Sequence, residues 1–315
     1  MALVSPTAAS LTRDQVRERL THRDRNIWGV VLQGVLLFTL LFTLLVLFTL
    51  LARVFSDAWP VFTERGTAFL TDRIGSDPAT IGVRPGLYGS VLIGVGVLII
   101  AIPLGVSASI YLEEYAKESR IERFIVINIR NLAGVPAVIY GVLGLTIFVG
   151  WLRPVTNGQT VIAASLTLAV LVLPIVIITS SEAIRAVPQG IREAGYGVGA
   201  TRWEVTRDHV LPYAAPGILT GTVLALARAL GEAAPLIILG AITGLLPSTS
   251  LTGRFTAVPM LIFSWAGRPS TGEKIDWPNV AAAAGVVLLA LVLFFITLGL
   301  NLIGDRFVRR VRHTY

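Results

Sequence analysis

Residues Gly29 to Ala52 carry no charge and are dominated by Leu, Phe and Val. A helix crosses the hydrocarbon core of a bilayer with roughly 20 mostly apolar residues. Within lipid every backbone polar group has to be satisfied by the segment itself, so helices and closed barrels are the only spanning forms. The run starts too late and is too long for the apolar part of a cleaved signal. Arg53-Val54-Phe55-Ser56-Asp57 follows it with no small-residue cleavage pattern.

Five more runs follow: Gly86 to Leu112 with Pro103 inside, Asn131 to Leu152, Thr160 to Ser180 with Pro174, Gly217 to Leu245, and Val280 to Ile303. The third has the least definite start, because 121–129 is also largely apolar. The pattern predicts an all-α polytopic membrane protein with six transmembrane helices. The composition agrees, with 54% apolar and only 14% charged residues, against about 25% charged in soluble domains. An ordinary soluble enzyme, a disordered chain and a nucleic-acid module are excluded. The absence of cysteine excludes disulfides, thiolate chemistry and cysteine-ligated metal.

The net charge of +7 needs no nucleic-acid partner once the charges are placed. Six spans put both termini on one side. That side collects 17 Lys and Arg in the N-terminal tail, 113–130, 181–216 and the C-terminal tail; the other side holds eight, and Arg228 lies within a span. The positive-inside rule predicts cytoplasmic termini and a cytoplasmic 181–216 loop, with basic tails matched to the anionic inner leaflet. The expected organisation is a tail at 1–26, a first span with its external loop over 27–85, a membrane core over 86–305, and a basic tail at 306–315. Leu11, Val16 and Leu20 offer a thin apolar stripe to the first tail, which reads equally as a surface helix or a fraying polar segment. Residues 255–263 form an apolar run too short to cross and read as an interfacial or re-entrant helix. The Gly and Pro density of the spans fits either close, kinked packing or a hinge.

Two features go beyond topology. The 181–216 loop has roughly helical spacing, with Ala194, Val198, Thr201 and Val205 able to line one face and Arg192, Arg202 and Asp208 at its edges. Two short helices with a Gly-rich turn at 197–199 are expected, and Pro212 and Pro216 mark the return to the membrane. The loop reads either as an amphipathic segment lying on the bilayer or as a docking element for a soluble partner. Arg228 and Glu232 are the only charges well inside a span. At i,i+4 they share a helix face, either as a structural pair that pins the helix register or as a resting ion pair from which Arg228 engages an oxyanion in transit through its fork of donors. Intramembrane charge costs about 2.5–3.5 kcal/mol at mid-helix on insertion scales, which directs such residues toward a bundle interior or a wet path.

Glu193-Ala194-Gly195, Gly199 and Leu211-Pro212 match the spacing of the EAA motif, EAA-x3-G-x9-I-x-LP. The chain thereby resembles the permease subunits of binding-protein-dependent ABC importers. The stretches at 103–116, 132–144, 166–188 and 192–236 look like the PstA family of phosphate-importer permeases, and the resemblance covers about 86–305. It departs from the family pattern at Gly195, His209, Ala137 and Ala233, the last two lacking hydroxyls that could meet an oxyanion.

The resemblance implies a type I ABC importer permease fold. It implies one half of a heterodimeric pore with a homologous, PstC-like permease, two copies of a PstB-like cytoplasmic ATPase, and a PstS-like external binding protein that delivers inorganic phosphate. Glu193, Ala194, Gly199, Ala200, Arg202, Trp203, Leu211 and Pro212 would form the ATPase coupling surface. Arg228 and Glu232 would line the substrate path. ATP and Mg would sit on the ATPase, since this chain has no G-x-x-x-x-G-K-[ST] sequence, and no cofactor, metal or nucleic acid is expected here. The implied location is a bacterial or archaeal cytoplasmic membrane. Other readings are a permease for sulfate, molybdate or tungstate, a sensor or scaffold subunit of the same system, and a membrane enzyme. The enzyme is disfavoured by the poverty of catalytic groups: three histidines, at 22, 209 and 313, all lie outside the spans with no acidic cluster beside them.

Overall fold

The computed structural model describes residues 27–117, 119–241 and 250–311. The expectations for the tail at 1–26, for the end of the fifth run at 242–245 and for residues 312–315 lie outside the described residues. The chain divides into two units, Met1–Arg53 and Val54–Tyr315. The helix α1 (Ile27–Arg65) runs across that boundary. In the first unit its apolar side chains are exposed over the whole 27–50 stretch, as expected of a surface built for lipid or for another apolar chain.

In the second unit, α2 (Arg84–Ile110) continues through a π-helical turn at Tyr111–Tyr115. Next come α3 (Arg120–Ala133), α4 (Ala137–Gly144) extended by π-helical Leu145–Trp151, α5 (Val161–Arg185), α6 (Gln189–Gly197) and α7 (Arg202–Val205). After α7, a π turn at Thr206–Val210 leads into α8 (Leu211–Gly231), followed by α9 (Val258–Ala266) and α10 (Trp277–Val311). No strand occurs among the described residues. The fold is an all-α, multi-pass membrane architecture.

Among the described residues, five helices are long and apolar enough to cross a membrane, and a sixth span arises if α3 and α4 count as one crossing bent by 101°. The third run therefore differs from the single helix expected over 131–152. Pro136 caps α4 and disfavours helical backbone at Val135, so Asn131 to Ala133 belong to the preceding helix. The buried Tyr140 closes the bend by donating its hydroxyl to the Leu132 carbonyl at 2.8 Å.

The helix α5 is the axis of the bundle, with 67% of its most apolar window buried. It packs on α2 and α8 through small residues. A Cβ added at Gly105 would stand 2.6 Å from Val176, and one at Gly217 would stand 2.7 Å from Ala183. Gly221 lies against Thr179 in the same way, so Gly217-x-x-x-Gly221 meets Thr179 and Ala183. Helices in lipid gain little from apolar burial against one another and associate by such close backbone approach. The glycine density thus has a packing role here. A second cluster joins Ala58, Val61, Phe69, Leu261, Trp265 and Val280, so one side of α9 packs into the bundle, while its Phe263 is exposed. A third, of Ile184, Val187, Val205, Val210, Ala214 and Ile218, lies under the α6–α7 segment.

Candidate functional site: the coupling segment and the broken fifth span

The 181–216 loop has the glycine turn that its sequence predicts, between the short helix α6 and a second helix that is not short but continues into α8. Gly199 has φ +85°, a left-handed conformation that side-chain-bearing residues disfavour. Its N–H donates to Tyr196 O at 3.0 Å, and the Ala200 N–H donates to Gly195 O at 3.2 Å. A Cβ added at Gly199 would meet open space, so the left-handed turn alone favours the glycine. Close approach occurs instead at Gly195, where a Cβ would stand 2.7 Å from Val205 Cγ2. That contact accounts for the departure from the family pattern at Gly195.

A capping box starts α7. The Thr201 N–H donates to Glu204 Oε2 at 2.7 Å, and the Glu204 N–H donates to Thr201 Oγ1 at 3.4 Å. The Thr201 N–H and the Thr201 hydroxyl, which both donate to Glu204 Oε2, hold the Glu204 carboxyl below its ordinary pKa.

The apolar side differs from the expected one. Val205 is buried with Gly195, Thr206 and Val210, whereas Ala194, Val198 and Thr201 face outward. The 195–205 contact packs α6 on α7, and Tyr196, Val198 and Trp203 stay outside it with exposures of 44%, 84% and 52%. Glu193 and Arg202 are also exposed, and Ala200, Leu211 and Pro212 are half-buried. The helix runs unbroken from Arg202 to Gly231, so neither Pro212 nor Pro216 ends it. The π turn before Pro212 supplies slack for the missing N–H.

Sequence reasoning missed what fixes this segment to the bundle. Arg192 donates from Nε and Nη2 to Glu114 Oε1, and from Nη1 and Nη2 to the Val187 and Ile184 carbonyls. Arg185 makes a two-pronged pair with Glu113. The Arg202 guanidinium lies 5.2 Å from the Tyr115 ring centroid, within cation–π range. Glu113-Glu114-Tyr115, at the end of the α2 rod, therefore receives three arginines from the 185–202 stretch. Two adjacent acids closing an apolar run were the available signal.

The fifth run is not one helix. α8 ends at Gly231, and Glu232 is extended at φ −86°, ψ 112°. A one-turn helix, Ala234–Ile238, follows. Pro235 explains the break, since in a continuous helix it would lack the N–H and clash with the Gly231 carbonyl. The expected i,i+4 arrangement of Arg228 and Glu232 is therefore corrected: no ion pair joins them among the described residues. Arg228 is exposed in the last turn of α8, opposite the face that buries Ala225, Leu226, Ala229 and Leu230, and Glu232 is half-buried beyond it. Arginine there is favoured by the negative end of the helix. The short helix is pinned by Gly141, where a Cβ would stand 2.8 Å from the Pro235 Cα.

Residues 89–313 match the family described as binding-protein-dependent transport system inner membrane component. The chain belongs to that family. As a permease it is 34% identical over 226 residues to the phosphate transport system permease protein PstA of Mycobacterium leprae, covering 72% of this chain and 70% of that one. It is 31% identical to PstA of Yersinia pestis across 92% of this chain and 93% of the relative. It is also 30% identical to PstC of Mesorhizobium japonicum, across 78% and 79%. The fold matches a bacterial ABC transporter for the import of the acidic polysaccharide alginate, with TM-score 0.58 at 17% identity over 88% of this chain and 99% of that one. The inward-facing MetNI methionine transporter gives TM-score 0.52 at 18% identity, over 71% and 94%. The chain is thus an ABC-importer permease subunit, a transport component.

Proposed function

We propose that this permease subunit moves inorganic phosphate inward as the PstA-type half of an importer. A PstC-like permease would form the other half, with two PstB-like ATPases carrying ATP and Mg and a PstS-like binding protein outside. The observation that carries the substrate is the likeness to phosphate permeases across most of the chain. Arg228 fits that reading. It is a permanent cation with a planar fork suited to an oxyanion, held on a span with no acidic partner among the described residues. Glu232, at the break just beyond, limits how tightly an anion is held. The charge asymmetry between loops supports cytoplasmic termini and a cytoplasmic α6–α7 segment. The exposed Tyr196, Val198 and Trp203, beside Glu193, Ala194 and Arg202, supply the apolar projection that an ATPase groove would take.

The test is phosphate uptake into proteoliposomes holding the full complex, with assembly and ATPase activity read on the same preparation. Arg228→Gln is expected to assemble and dock the binding protein but to lose most uptake, and Arg228→Lys to recover part. Wild-type uptake by the Gln variant would make Arg228 a packing residue. Accumulation of sulfate or molybdate instead of phosphate by the unmodified complex would assign the other oxyanion.

A further inference from the structure

A cavity of about 330 Å³ opens at the end of α5 opposite the coupling segment, between the 153–160 loop and the stretch leading to α9. Arg153 and Arg254 reach it from separate parts of the chain, and Asn157, Gln159, Thr160 and Thr252 complete its polar lining. Among the described residues no carboxylate lines it and neither arginine is in an ion pair. Two cations brought together without a counter-charge repel one another unless an anion lies between them.

The loop that presents these groups is built to hold one shape. Asn157 and Gly158 take left-handed backbone at φ 59° and 92°. Buried Thr156 fixes that turn by donating its hydroxyl to Phe148 O at 2.7 Å and accepting the Gly158 N–H at 3.3 Å. Thr160 donates to Thr156 O at 2.7 Å. Gln159 lies over Gly240, where any side chain would collide with its amide. The first turn of α5 adds the positive end of a 25-residue helix.

We propose that this cavity is a second anion site of the permease, taking a small tetrahedral oxyanion, still partly hydrated, at the end of the pathway remote from the ATPase. The chemistry is two guanidinium forks for charge, with neutral amides and hydroxyls to replace some of the ion's water. The cavity is several times larger than a bare oxyanion, which leaves room for bridging waters. A site of that kind binds weakly and releases readily, as a first station before Arg228 requires. The proposal rests on the oxyanion-permease reading, with this end facing outward. A carboxylate from a docked binding protein is the competing occupant; the concave form and the neutral donors favour the free ion.

The test is arginine-specific labelling of the purified wild-type complex with phenylglyoxal, read peptide by peptide by mass spectrometry. Inorganic phosphate is titrated against chloride at equal ionic strength. Protection follows 1 + [L]/Kd, so phosphate at about three times its Kd slows labelling of both Arg153 and Arg254 about fourfold. In Arg153→Gln the protection of Arg254 should shrink, because both belong to one site. In Arg228→Gln it should persist, because the two sites are separate. Protection by phosphate and sulfate alike, in a complex that imports neither, would uphold this site while sinking the phosphate-import reading. Equal labelling in phosphate and chloride would overturn the proposal, and so would protection by the loaded binding protein alone.

Discussion

Glu114 and Arg192 stand 78 positions apart and are joined by two hydrogen bonds of 2.8 and 3.2 Å, with side-chain exposures of only 4% and 12%. The arginine gives two further donors to the carbonyls of Ile184 and Val187. Removing one member of a buried pair leaves an uncompensated charge and costs about 3–5 kcal/mol. Glu114→Ala is therefore expected to lower the unfolding midpoint of the detergent-solubilised complex sharply. Glu114→Ala combined with Arg192→Met should recover part of the loss. The neighbouring Glu113–Arg185 pair has an arginine 63% exposed, so Glu113→Gln should cost at most about 1 kcal/mol. Equal effects of the two glutamates would show that burial does not set the strength of these contacts.

Two glycines of the coupling segment should fail for different reasons. Gly199→Ala meets open space but a left-handed backbone, at a cost of about 1–2 kcal/mol. Gly195→Val meets Val205 and forces α6 away from α7, an overpacking cost of about 1–3 kcal/mol that also reorients Tyr196 and Val198. ATPase co-purification should fall much more in Gly195→Val than in Gly199→Ala. The reverse order would place the coupling surface elsewhere.

Asp276 gives a pH signature. Its carboxylate accepts from the Ser270 hydroxyl, from the Thr271 N–H at 3.0 Å and from the Trp277 N–H at 2.7 Å. The Ser270 and Thr271 bonds foremost hold its carboxyl well below the usual carboxylate range. A group depressed in the folded state stabilises fully above its unfolded value, about 3.9 for Asp, and that stability fades as pH falls toward the folded value. Thermal midpoints of wild type minus Asp276→Asn should be constant near neutrality and shrink below about pH 4. A difference that grew on acidification would reverse the sign and exclude this role.

Orientation is settled by labelling single cysteines in the otherwise cysteine-free chain. Ser76 and Gln189 are both exposed. A cysteine at 76 should react with a membrane-impermeant maleimide on intact cells, and one at 189 only after the membrane is opened. Reaction of both from one side would contradict the charge-based topology.

The spans were legible because their signal is local: length, hydropathy and absence of charge. So was the turn at Gly199, flanked by helical spacing. The break after Gly231 was also present, in Pro235, but the unbroken apolar character of 217–245 outweighed it and put Arg228 and Glu232 on one helix face. The clamp at Glu114 was not legible, since no local pattern says which arginine returns to which acid across 78 positions. The outward turn of Val198 likewise follows from a contact between α6 and α7, Gly195 on Val205, which helical spacing alone cannot distinguish from its alternatives.

The continuous helix from Arg202 to Gly231 carries Trp203 near one end and Arg228 near the other. Along a regular helix these lie about 38 Å apart, and a tilt of about 10° about the midpoint swings each by about 3 Å in opposite directions. Between them, Gly217 and Gly221 press on Ala183 and Thr179 of α5, where there is least room to slide. The small-residue contact thus has the placement of a fulcrum. Bulk added at Gly221 would alter how far the two ends travel relative to one another, even where neither the docking surface nor the cation is touched.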